Sequence, residues 1–340
     1  MDILKNHSLR SLNTFGIDST ALYFTEVSDL QEIREALTWS AGKRISNLIL
    51  GGGSNLLFKT ETLNYLVIKN NLTGITRIRE DADHVFLKAG AGENWHKLVQ
   101  YCVGLNYGGI ENLSLIPGNV GAGPMQNIGA YGVELKDVFH ELEAMNLADG
   151  TIEIFDNGRC RFGYRESIFK QEAKNLFVIT SVTLRLNKKP VFNTQYGVIR
   201  QELDKMGVHE LSVAAISEAV SSIRRSKLPD PAKIGNAGSF FKNPEIEASR
   251  YHKLKESFPD LIAYPLENGN FKLAAGWLIE SCGWKGKSFG HAGVHAMQAL
   301  VLVSDGKASG AEIYELSTRI LTSVEEKFGV SLEREVNIIV

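Results

Sequence analysis

Three short stretches of the chain set a reactive side chain among unusual neighbours. Ser239 follows a glycine and precedes two phenylalanines, so we expect it on a sharp turn above an apolar floor. It is a poor candidate for a hydrolase nucleophile, because the G-x-S-x-G pattern and a nearby base are absent, and a purely structural serine is the alternative. Arg165 ends the stretch RFGYR, where its guanidinium could bind a carboxylate or simply extend over the surface. Glu335 lies in an otherwise apolar C-terminal stretch, and spacing alone leaves open whether it is exposed or buried.

Residues 116–132, IPGNVGAGPMQNIGAYG, contain five glycines and no charged side chain. Glycine allows positive φ and lets backbone N–H groups come close to a ligand, while Pro117 and Pro124 restrict the chain. Clustered backbone N–H groups bind anions, commonly phosphate. We therefore expect an anion-binding loop rather than an irregular surface loop, built on Gly118, Gly121, Gly123, Gly129 and Gly132.

A second glycine cluster, residues 51–53, follows the apolar run 48–50 and precedes Ser54 and Asn55. We interpret it as a strand that leads into a phosphate-binding turn. It does not satisfy the dinucleotide fingerprint G-x-G-x-x-G, because no glycine stands at the required later position. The sequence GKS at 286–288 likewise lacks the earlier glycine that a P-loop requires.

The composition bounds the class of protein. The chain has 340 residues, a net charge of −2 and 44% hydrophobic residues, which fits two or three globular domains and does not indicate a nucleic-acid partner. No apolar run approaches the ~20 residues that span a bilayer, and the first residues, MDILKNHS, lack the apolar core of a signal peptide, so we expect a cytoplasmic protein. Three widely spaced cysteines fit a reducing compartment. His291 and His295 lack the glutamate of a zinc motif, so we expect no metal site.

The chain is predicted to begin with a β-α-β-β unit of about 70 residues. The prediction rests on the spacing of its apolar residues, which is helical in one segment and strand-like in the others. Its helix should start at a capping box formed by Ser28 and Gln31, and residues 47–58 and 65–68 are typical of strands. The next part predicts a mixed sheet. It has a strand over 85–89 and a helix with an apolar stripe at 95–102, which the glycine-rich loop follows directly.

Further along, Asp149 and Gly150 are typical of a hairpin turn, and residues 177–186 alternate as a strand. Pro229 and Pro231, with polar neighbours, mark a domain boundary. Beyond it we predict, besides a helix over 273–280 and a strand over 299–303, a long amphipathic helix that ends at Gly329 and a terminal strand over the last eight residues.

In their order, these motifs resemble those of the UDP-N-acetylenolpyruvoylglucosamine reductases, flavoenzymes of peptidoglycan precursor synthesis. The resemblance runs nearly end to end and rests on residues 13–16, 49–55, 116–118, 126–132, 164–165, 235–241, 274–279 and 332–336. Residues 193–197 resemble the tyrosine loop of the longer, type I branch. One departure is that Arg334 stands where many members have proline, which leaves Glu335 in register.

The resemblance implies an α+β fold, in which a two-lobed FAD-binding region of the PCMH-type flavin fold is joined to a smaller α+β substrate-binding domain. The first lobe would comprise residues 1–70 together with the C-terminal strand 329–340. The second lobe would comprise residues 71–225, including the tyrosine loop near 190–200, and residues 226–328 would bind the substrate.

The resemblance also implies a reaction, in which NADPH, as hydride-donating co-substrate, reduces a non-covalently bound FAD. The reduced FAD passes a hydride from N5 to UDP-N-acetylglucosamine enolpyruvate, Ser239 gives the proton, and Arg165 and Glu335 stabilise the developing enolate of the product, UDP-N-acetylmuramate. The implied cofactor contacts are Gly51, Gly52, Gly53, Ser54, Asn55, Pro117, Gly118, Gly121, Asn127, Gly129, Ala130, Tyr131 and Gly132. The implied substrate contacts are Tyr164, Tyr196, Lys227, Asn243, Tyr264, Lys272 and Gln298.

The implied partners are therefore small molecules, the sugar nucleotide and NADPH, and we expect a monomer without nucleic acid or membrane insertion. Through peptidoglycan synthesis the enzyme would serve cell wall biogenesis, cell shape and cell division. The alternatives are another FAD-dependent oxidase or dehydrogenase of the same wider flavin fold and a non-enzymatic flavin-binding protein.

Overall fold

The computed structural model describes all 340 residues of the chain, which form twenty strands and eight helices. The strands are β1 (Leu4–Ser8), β2 (Thr20–Val27), β3 (Ser46–Leu50), β4 (Leu56–Phe58), β5 (Thr62–Asn70), β6 (Ile75–Glu80), β7 (His84–Gly90), β8 (Gly129–Ala130), β9 (Val133–Glu134), β10 (Phe139–Asn146), β11 (Ile152–Asp156), β12 (Phe177–Asn187), β13 (Gly235–Ser239), β14 (Glu245–Ile246), β15 (Ala263–Pro265), β16 (Phe271–Leu273), β17 (Ser288–Phe289), β18 (Ala292–Val294), β19 (Val301–Ser304) and β20 (Asn337–Ile339). The helices are α1 (Leu30–Lys43), α2 (Trp95–Gly104), α3 (Asn157–Cys160), α4 (Gly197–Lys205), α5 (Val213–Lys227), α6 (Ala248–Ser257), α7 (Ala275–Ser281) and α8 (Gly310–Phe328).

The chain divides into two compact units. The first consists of Met1–His7, Ala21–Gly52 and Asn64–Ser226, and the second of Ser8–Thr20, Gly53–Leu63 and Lys227–Val340. Each unit therefore draws on segments that are far apart in the sequence. The three-domain division expected from the sequence stays a prediction.

The first unit contains a four-stranded sheet with the order β1-β2-β5-β3, in which β3 and β5 are parallel. Helix α1 packs on this sheet because Ile33 and Ala36 are fully buried in the same apolar cluster as Leu66 of β5. The predicted capping box is wrong by one position. Asp29 caps the helix by accepting the Glu32 N–H at 2.8 Å, since its side chain reaches that orphan donor.

A second sheet of the first unit is antiparallel, with the order β11-β10-β12-β7-β6. The predicted hairpin at residues 149–150 is confirmed as the connection between β10 and β11. The predicted apolar stripe of α2 is also confirmed, because Trp95, Leu98 and Cys102 are buried in the core beneath this sheet. The Trp95 indole Nε1–H donates to a backbone carbonyl at 2.9 Å, which satisfies the one polar group that the ring buries.

Helices α4 and α5 close the first unit and pack on each other. Ile199 and Leu203 of α4 share an apolar cluster with Ile216 and Val220 of α5. Helix α4 was not predicted. It begins directly after residues 193–196. The tyrosine-containing stretch is thus attached to a buried helix pair.

The second unit is built on the sheet β13-β19-β18-β17 and on the small sheet β14-β16-β15. The predicted long helix is confirmed as α8, which ends at Gly329 in the left-handed conformation with φ +64°. The predicted terminal strand is too long, because only Asn337–Ile339 pair with β4, in parallel. The preceding residues pair instead with the segment after β13, as described below.

The overall fold class is α+β. Both units mix sheets with helices, and most strand pairs are antiparallel. None of the helices combines the length and the apolar character needed to span a lipid bilayer.

Candidate active site

The glycine-rich loop 116–132 folds back on the segment that leads into α2. The Trp95 N–H donates to the Gly118 carbonyl at 3.0 Å, and the Gly121 N–H donates to the Ala91 carbonyl at 2.9 Å. A Cβ on Gly121 would lie 2.5 Å from the Cβ of Ala91, so no larger residue fits this close approach. These contacts fix the first half of the loop on the rigid start of α2.

Only two of the five glycines use the conformational freedom that we expected of them. Gly118 has a φ of +111° and Gly132 a φ of +82°. Gly132 forms a two-residue turn with Tyr131, whose φ is +50°, between β8 and β9. Positive φ at both central residues is the type I′ geometry that suits a tight hairpin. The loop therefore ends in a short, rigid hairpin rather than in flexible chain.

The two glycine-rich stretches meet at Gly52. A Cβ added there would lie 2.7 Å from the Gly118 Cα and 2.7 Å from the Asn119 Oδ1. Lys69 of β5 donates its ammonium to the carbonyl of Gly51, and burial lowers the pKa of that ammonium, against the opposing effect of a carboxylate on β2. The first unit thus contains a narrow backbone cradle with a cation beside it, which is a suitable environment for a phosphate group.

The remaining residues of the first glycine stretch belong to the second unit. Gly53 has a φ of +64° and accepts a hydrogen bond from the Thr14 N–H at 3.0 Å. Asn55 accepts the Asn337 N–H at 3.1 Å, and its own amide donates to the Glu335 carbonyl at 3.4 Å. Ser54 lies between them and is half-buried. These residues tie the C-terminal segment to the start of β4.

Asn127 is fully buried and holds the second half of the loop together. Its amide N–H groups donate to the Glu134 Oε2 and to the Gly163 carbonyl, both at 3.0 Å, and its Oδ1 accepts the Lys136 N–H at 3.0 Å. All three groups are therefore engaged within the protein. The contact of Asn127 with a cofactor stays a prediction, and its observed hydrogen bonds connect the loop to the turn that carries Arg165.

Arg165 lies in a tight turn with a φ of +53°, a conformation that costs a non-glycine residue ~1 kcal/mol or more. Its Nη2 donates to the Gly129 carbonyl of the glycine-rich loop at 2.7 Å. The guanidinium carbon lies 5.8 Å from the ring centre of Tyr164, which is itself exposed. The structure thus brings Arg165, Tyr164 and Gly129 together in the first unit.

The tyrosine loop is attached to the same hairpin. Tyr196 occupies the N-cap position of α4 and is half exposed, and its ring packs edge-on against Tyr131 with centroids 5.9 Å apart. The buried Asn112 donates one amide hydrogen to the Tyr131 carbonyl at 3.0 Å and the other to the Asn193 carbonyl at 2.9 Å. Asn193 in turn donates to the Gly132 carbonyl at 3.0 Å. The loop and the hairpin are therefore held as one assembly.

Ser239 and Glu335 both belong to the second unit, where two backbone segments bring them close. Ser239 is the last residue of β13, directly after Gly238 with a φ of +69°, and the following Phe240 is buried. The Glu335 N–H donates to the Phe240 carbonyl at 2.8 Å, next to Ser239. Both side chains are half-buried. The sequence left open whether Glu335 is exposed or buried, and the structure shows it partly buried.

Two family descriptions match the chain. Residues 21–156 match the FAD binding domain, and residues 230–339 match the UDP-N-acetylenolpyruvoylglucosamine reductase, C-terminal domain. The protein named UDP-N-acetylenolpyruvoylglucosamine reductase from Amoebophilus asiaticus is 49% identical over 339 residues, with 100% of both chains covered. The chain belongs to the UDP-N-acetylenolpyruvoylglucosamine reductase family. The relative of the same name from Pseudomonas aeruginosa is 47% identical over 338 residues, 99% of each chain.

A solved structure of this family supports the fold. The UDP-N-acetylenolpyruvylglucosamine reductase from Thermus caldophilus covers 99% of this chain and 98% of its own, with a TM-score of 0.68 and 23% identity. At this identity the likeness concerns the fold alone. The predicted family, the fold class, the FAD-binding region and the assignment as an oxidoreductase are confirmed.

Five of the residues that the family resemblance assigned to the substrate lie in the second unit. Tyr264 of β15 faces Lys272 of β16 in the antiparallel register, so these two are brought together. Asn243 accepts the Ala275 N–H at 2.9 Å and thereby satisfies a free donor at the start of α7. Gln298 is half-buried beside α7, and Lys227 is exposed at the end of α5. Their substrate contacts stay predictions.

Arg334, the residue that departs from the family pattern, fixes the segment beside Glu335. Its Nε donates to the Ser317 Oγ at 2.8 Å and its Nη2 to the Thr318 Oγ1 at 2.7 Å, both on α8. The guanidinium carbon also lies 4.4 Å from the ring centre of Tyr314, and burial lowers its pKa. Where proline would restrict the backbone directly, this chain uses a side chain for the same purpose.

Sequence reasoning missed Arg224, because residues 224–226 were interpreted only as polar neighbours of a domain boundary. Arg224 hydrogen-bonds the Tyr131 hydroxyl and lies near Arg165, and burial lowers the pKa of its guanidinium. Burial raises the pKa of Tyr131. Nothing in the local pattern separates this arginine from its exposed neighbour Arg225, so only the packing of α5 identifies it.

Proposed function

We propose that the protein reduces UDP-N-acetylenolpyruvoylglucosamine to UDP-N-acetylmuramate with NADPH as electron donor and FAD as carrier. The observation that carries this proposal is the full-length relationship, at 49% identity, to a protein of that reductase name. The pairing of the Glu335 N–H with the carbonyl of Phe240, the residue after Ser239, supports it, because the proton donor and the charge-stabilising group must lie close together. The reaction belongs to peptidoglycan precursor synthesis.

The residues of the cradle fit FAD. A Cβ at Gly52 would fill the space against Gly118, so the backbone is kept bare where a pyrophosphate would need its N–H groups. Lys69 adds a positive charge beside that backbone. We infer that Gly51 to Asn55 and the loop 116–132 hold the cofactor without a covalent bond. Bound FAD supplies hydride transfer, first from NADPH and then to the vinyl carbon of the substrate.

The protein's own groups would complete the reaction. Ser239 donates the proton to the carbon adjacent to the one that accepts the hydride. Arg165 stabilises the negative charge that develops on the substrate carboxylate. Glu335 contributes as a protonated or hydrogen-bonded carboxyl, because a free carboxylate would repel that charge. The C-terminal segment supports this role through the Arg334 anchor.

Substrate binding would use the tyrosine loop and the second unit. Tyr196 would close over the diphosphate, and Lys227 and Asn243 would help to hold the diphosphate and the nucleotide. Tyr264, Lys272 and Gln298 would add further substrate contacts. The half-exposed ring of Tyr196 is available for such a contact. We propose that the enzyme acts as a monomer in the cytoplasm, where sugar nucleotides and NADPH are supplied.

The test is the absorption spectrum of the purified protein under anaerobic conditions. We expect a yellow protein whose flavin band bleaches with one equivalent of NADPH and returns on addition of the enolpyruvyl sugar nucleotide. Acid precipitation should release the flavin into the supernatant. A protein that binds no flavin, or a reduced flavin that the sugar nucleotide does not reoxidise, would contradict the proposal.

A further inference from the structure

Leu115 stands directly before the glycine-rich loop and has an unusual backbone. Its φ is +57°, in the left-handed region that Cβ sterics disfavour for any residue other than glycine. Leucine lacks the short polar side chain that lets asparagine or aspartate adopt this conformation more easily. The backbone of Leu115 sets the direction in which the chain continues to Pro117 and Gly118. Neighbouring groups must therefore hold Leu115 in this conformation.

Two side chains hold both backbone polar groups of Leu115. Its N–H donates to the Nδ1 of His96 at 2.9 Å, and its carbonyl accepts from the Nε of Arg224 at 3.2 Å. His96 lies in the first turn of α2 and Arg224 near the end of α5. The start of the loop is thus clamped between two helices that are themselves packed into apolar clusters.

We propose that His96 is a positioning residue of the FAD site, which holds Leu115 in the left-handed conformation and so sets the course of the loop 116–132. The proposal rests on the proposed function, since the ligand of this loop is FAD. The acceptor role requires a neutral imidazole with its proton on Nε2, because a protonated ring donates from both nitrogens and cannot accept the Leu115 N–H. Cofactor binding should therefore depend on the charge of His96.

The charged groups that face His96 all come from α5, namely Arg224, Arg225 and Glu218. Burial and then the two guanidiniums lower the pKa of His96 below its ordinary 6.5, while Glu218 opposes them. The neutral form is thus favoured in the folded protein. Because the pKa is lowered, the stabilisation that neutral His96 provides is complete above its ordinary pKa of 6.5. It is lost as the pH falls through the lower pKa of the folded protein. Weaker FAD binding is expected on the acid side.

The test combines substitutions at the two residues. His96→Ala lets water bind the Leu115 N–H but removes the side chain that restrains the backbone of Leu115. Leu115→Gly makes that restraint unnecessary, because glycine adopts positive φ without strain. FAD release from the holoprotein is followed by the recovery of flavin fluorescence on dilution. We expect His96→Ala to weaken FAD binding about fivefold, which corresponds to about 1 kcal/mol, the size of one hydrogen bond. With Leu115→Gly present, the same change should weaken it less than about twofold, since the restraint is no longer required.

His96→Asn serves as the conservative variant. Its Oδ1 can accept the Leu115 N–H in place of Nδ1 but cannot be protonated at these pH values. Over a pH series that descends from ~7.5, we expect His96→Asn to start at wild-type FAD affinity and to lose less affinity than the wild-type protein, in which His96 titrates below 6.5. The same loss from His96→Ala in both backgrounds, or an acid loss in His96→Asn equal to wild type, would overturn the assignment.

Failure of the proposed function can be told apart from failure of this inference. If the protein binds FAD but does not reduce the enolpyruvyl sugar, only the proposed reaction fails, and the FAD measurements stand. If the protein binds no FAD, the proposed function fails. The effect of the same two substitutions is then measured as the shift of the urea unfolding midpoint. Equal shifts from His96→Ala with and without Leu115→Gly would then overturn the role of His96 in holding Leu115.

Discussion

The close contact between the two glycine-rich stretches of the proposed FAD cradle can be tested by adding one methyl group at Gly52. In Gly52→Ala the new Cβ would lie 2.7 Å from the Gly118 Cα and 2.7 Å from the Asn119 Oδ1. Carbon atoms in contact are normally ~3.5–4.0 Å apart, so the backbone at Gly118 must move by ~1 Å. It cannot do so freely, because the Gly118 carbonyl accepts the Trp95 N–H at the rigid start of α2.

The expected magnitude follows from the cost of overpacking. Inserting a group into a packed site costs ~1–3 kcal/mol, which corresponds to ~5–150-fold in an equilibrium constant. Because the displaced backbone belongs to the loop that would bind the pyrophosphate, we expect most of this cost to appear as weaker FAD binding. The loss should lie in the upper part of this range, since the atoms met are backbone rather than a flexible side chain.

The assay is FAD affinity from flavin fluorescence, compared with Gly42→Ala as a matched control. Gly42 lies in the last turn of α1, where an added Cβ meets nothing within 4 Å. That control should keep wild-type FAD affinity and raise the free energy of unfolding by up to ~1 kcal/mol, because alanine favours the helix. Retention of FAD affinity within twofold of wild type in Gly52→Ala would refute the assignment of Gly52 to the cradle.

Three further predictions concern proton donation, substrate binding and stability. Ser239→Ala should bleach normally with NADPH and then be reoxidised by the sugar nucleotide ~10²–10⁴-fold more slowly, as measured by anaerobic stopped flow; a rate within tenfold of wild type would exclude Ser239 as the proton donor. Tyr196→Phe should raise the KM for the sugar nucleotide far more than it slows flavin reduction, and equal effects in steady-state and single-turnover assays would indicate a structural tyrosine. Arg334→Ala loses its bonds to Ser317 and Thr318 and should lower the free energy of unfolding, measured in urea, by ~1–3 kcal/mol. Arg334→Lys, which lacks the planar fork, should recover no more than part of that loss, and full recovery would contradict the two-bond anchor.

The elements that depend on local chemistry were predictable from the sequence. The stripe of α2 is buried because its apolar residues recur at helical spacing, and α8 ends at Gly329 because glycine adopts the left-handed cap. The hairpin between β10 and β11 follows from its Asp-Gly turn. In each case the residues that decide the structure lie within a few positions of each other.

Elements that depend on distant partners were predicted less well. The terminal strand was expected to run through the last eight residues, but the N–H of Glu335 pairs with Phe240, nearly a hundred residues earlier in the chain. Strand β6 was missed because most of its residues are exposed at a sheet edge and carry charges rather than an alternating pattern. The family resemblance identified Ser239 and Glu335 as a pair, whereas spacing alone could not relate them.

The strained backbone around the glycine-rich loop explains why local patterns did not reveal how this site is built. Leu115, Tyr131 and Arg165 all have positive φ, although none is a residue type that favours it. Each such residue costs ~1 kcal/mol or more and persists only where the surroundings over-determine it. For Leu115 and Tyr131 the surroundings are side chains from α2, α5 and the buried Asn112, which hold these two residues by their backbone groups or hydroxyl. Glycine at these positions would remove the strain. Because the chain carries other residues there, the direction of the loop depends on the helices that hold the strained backbone.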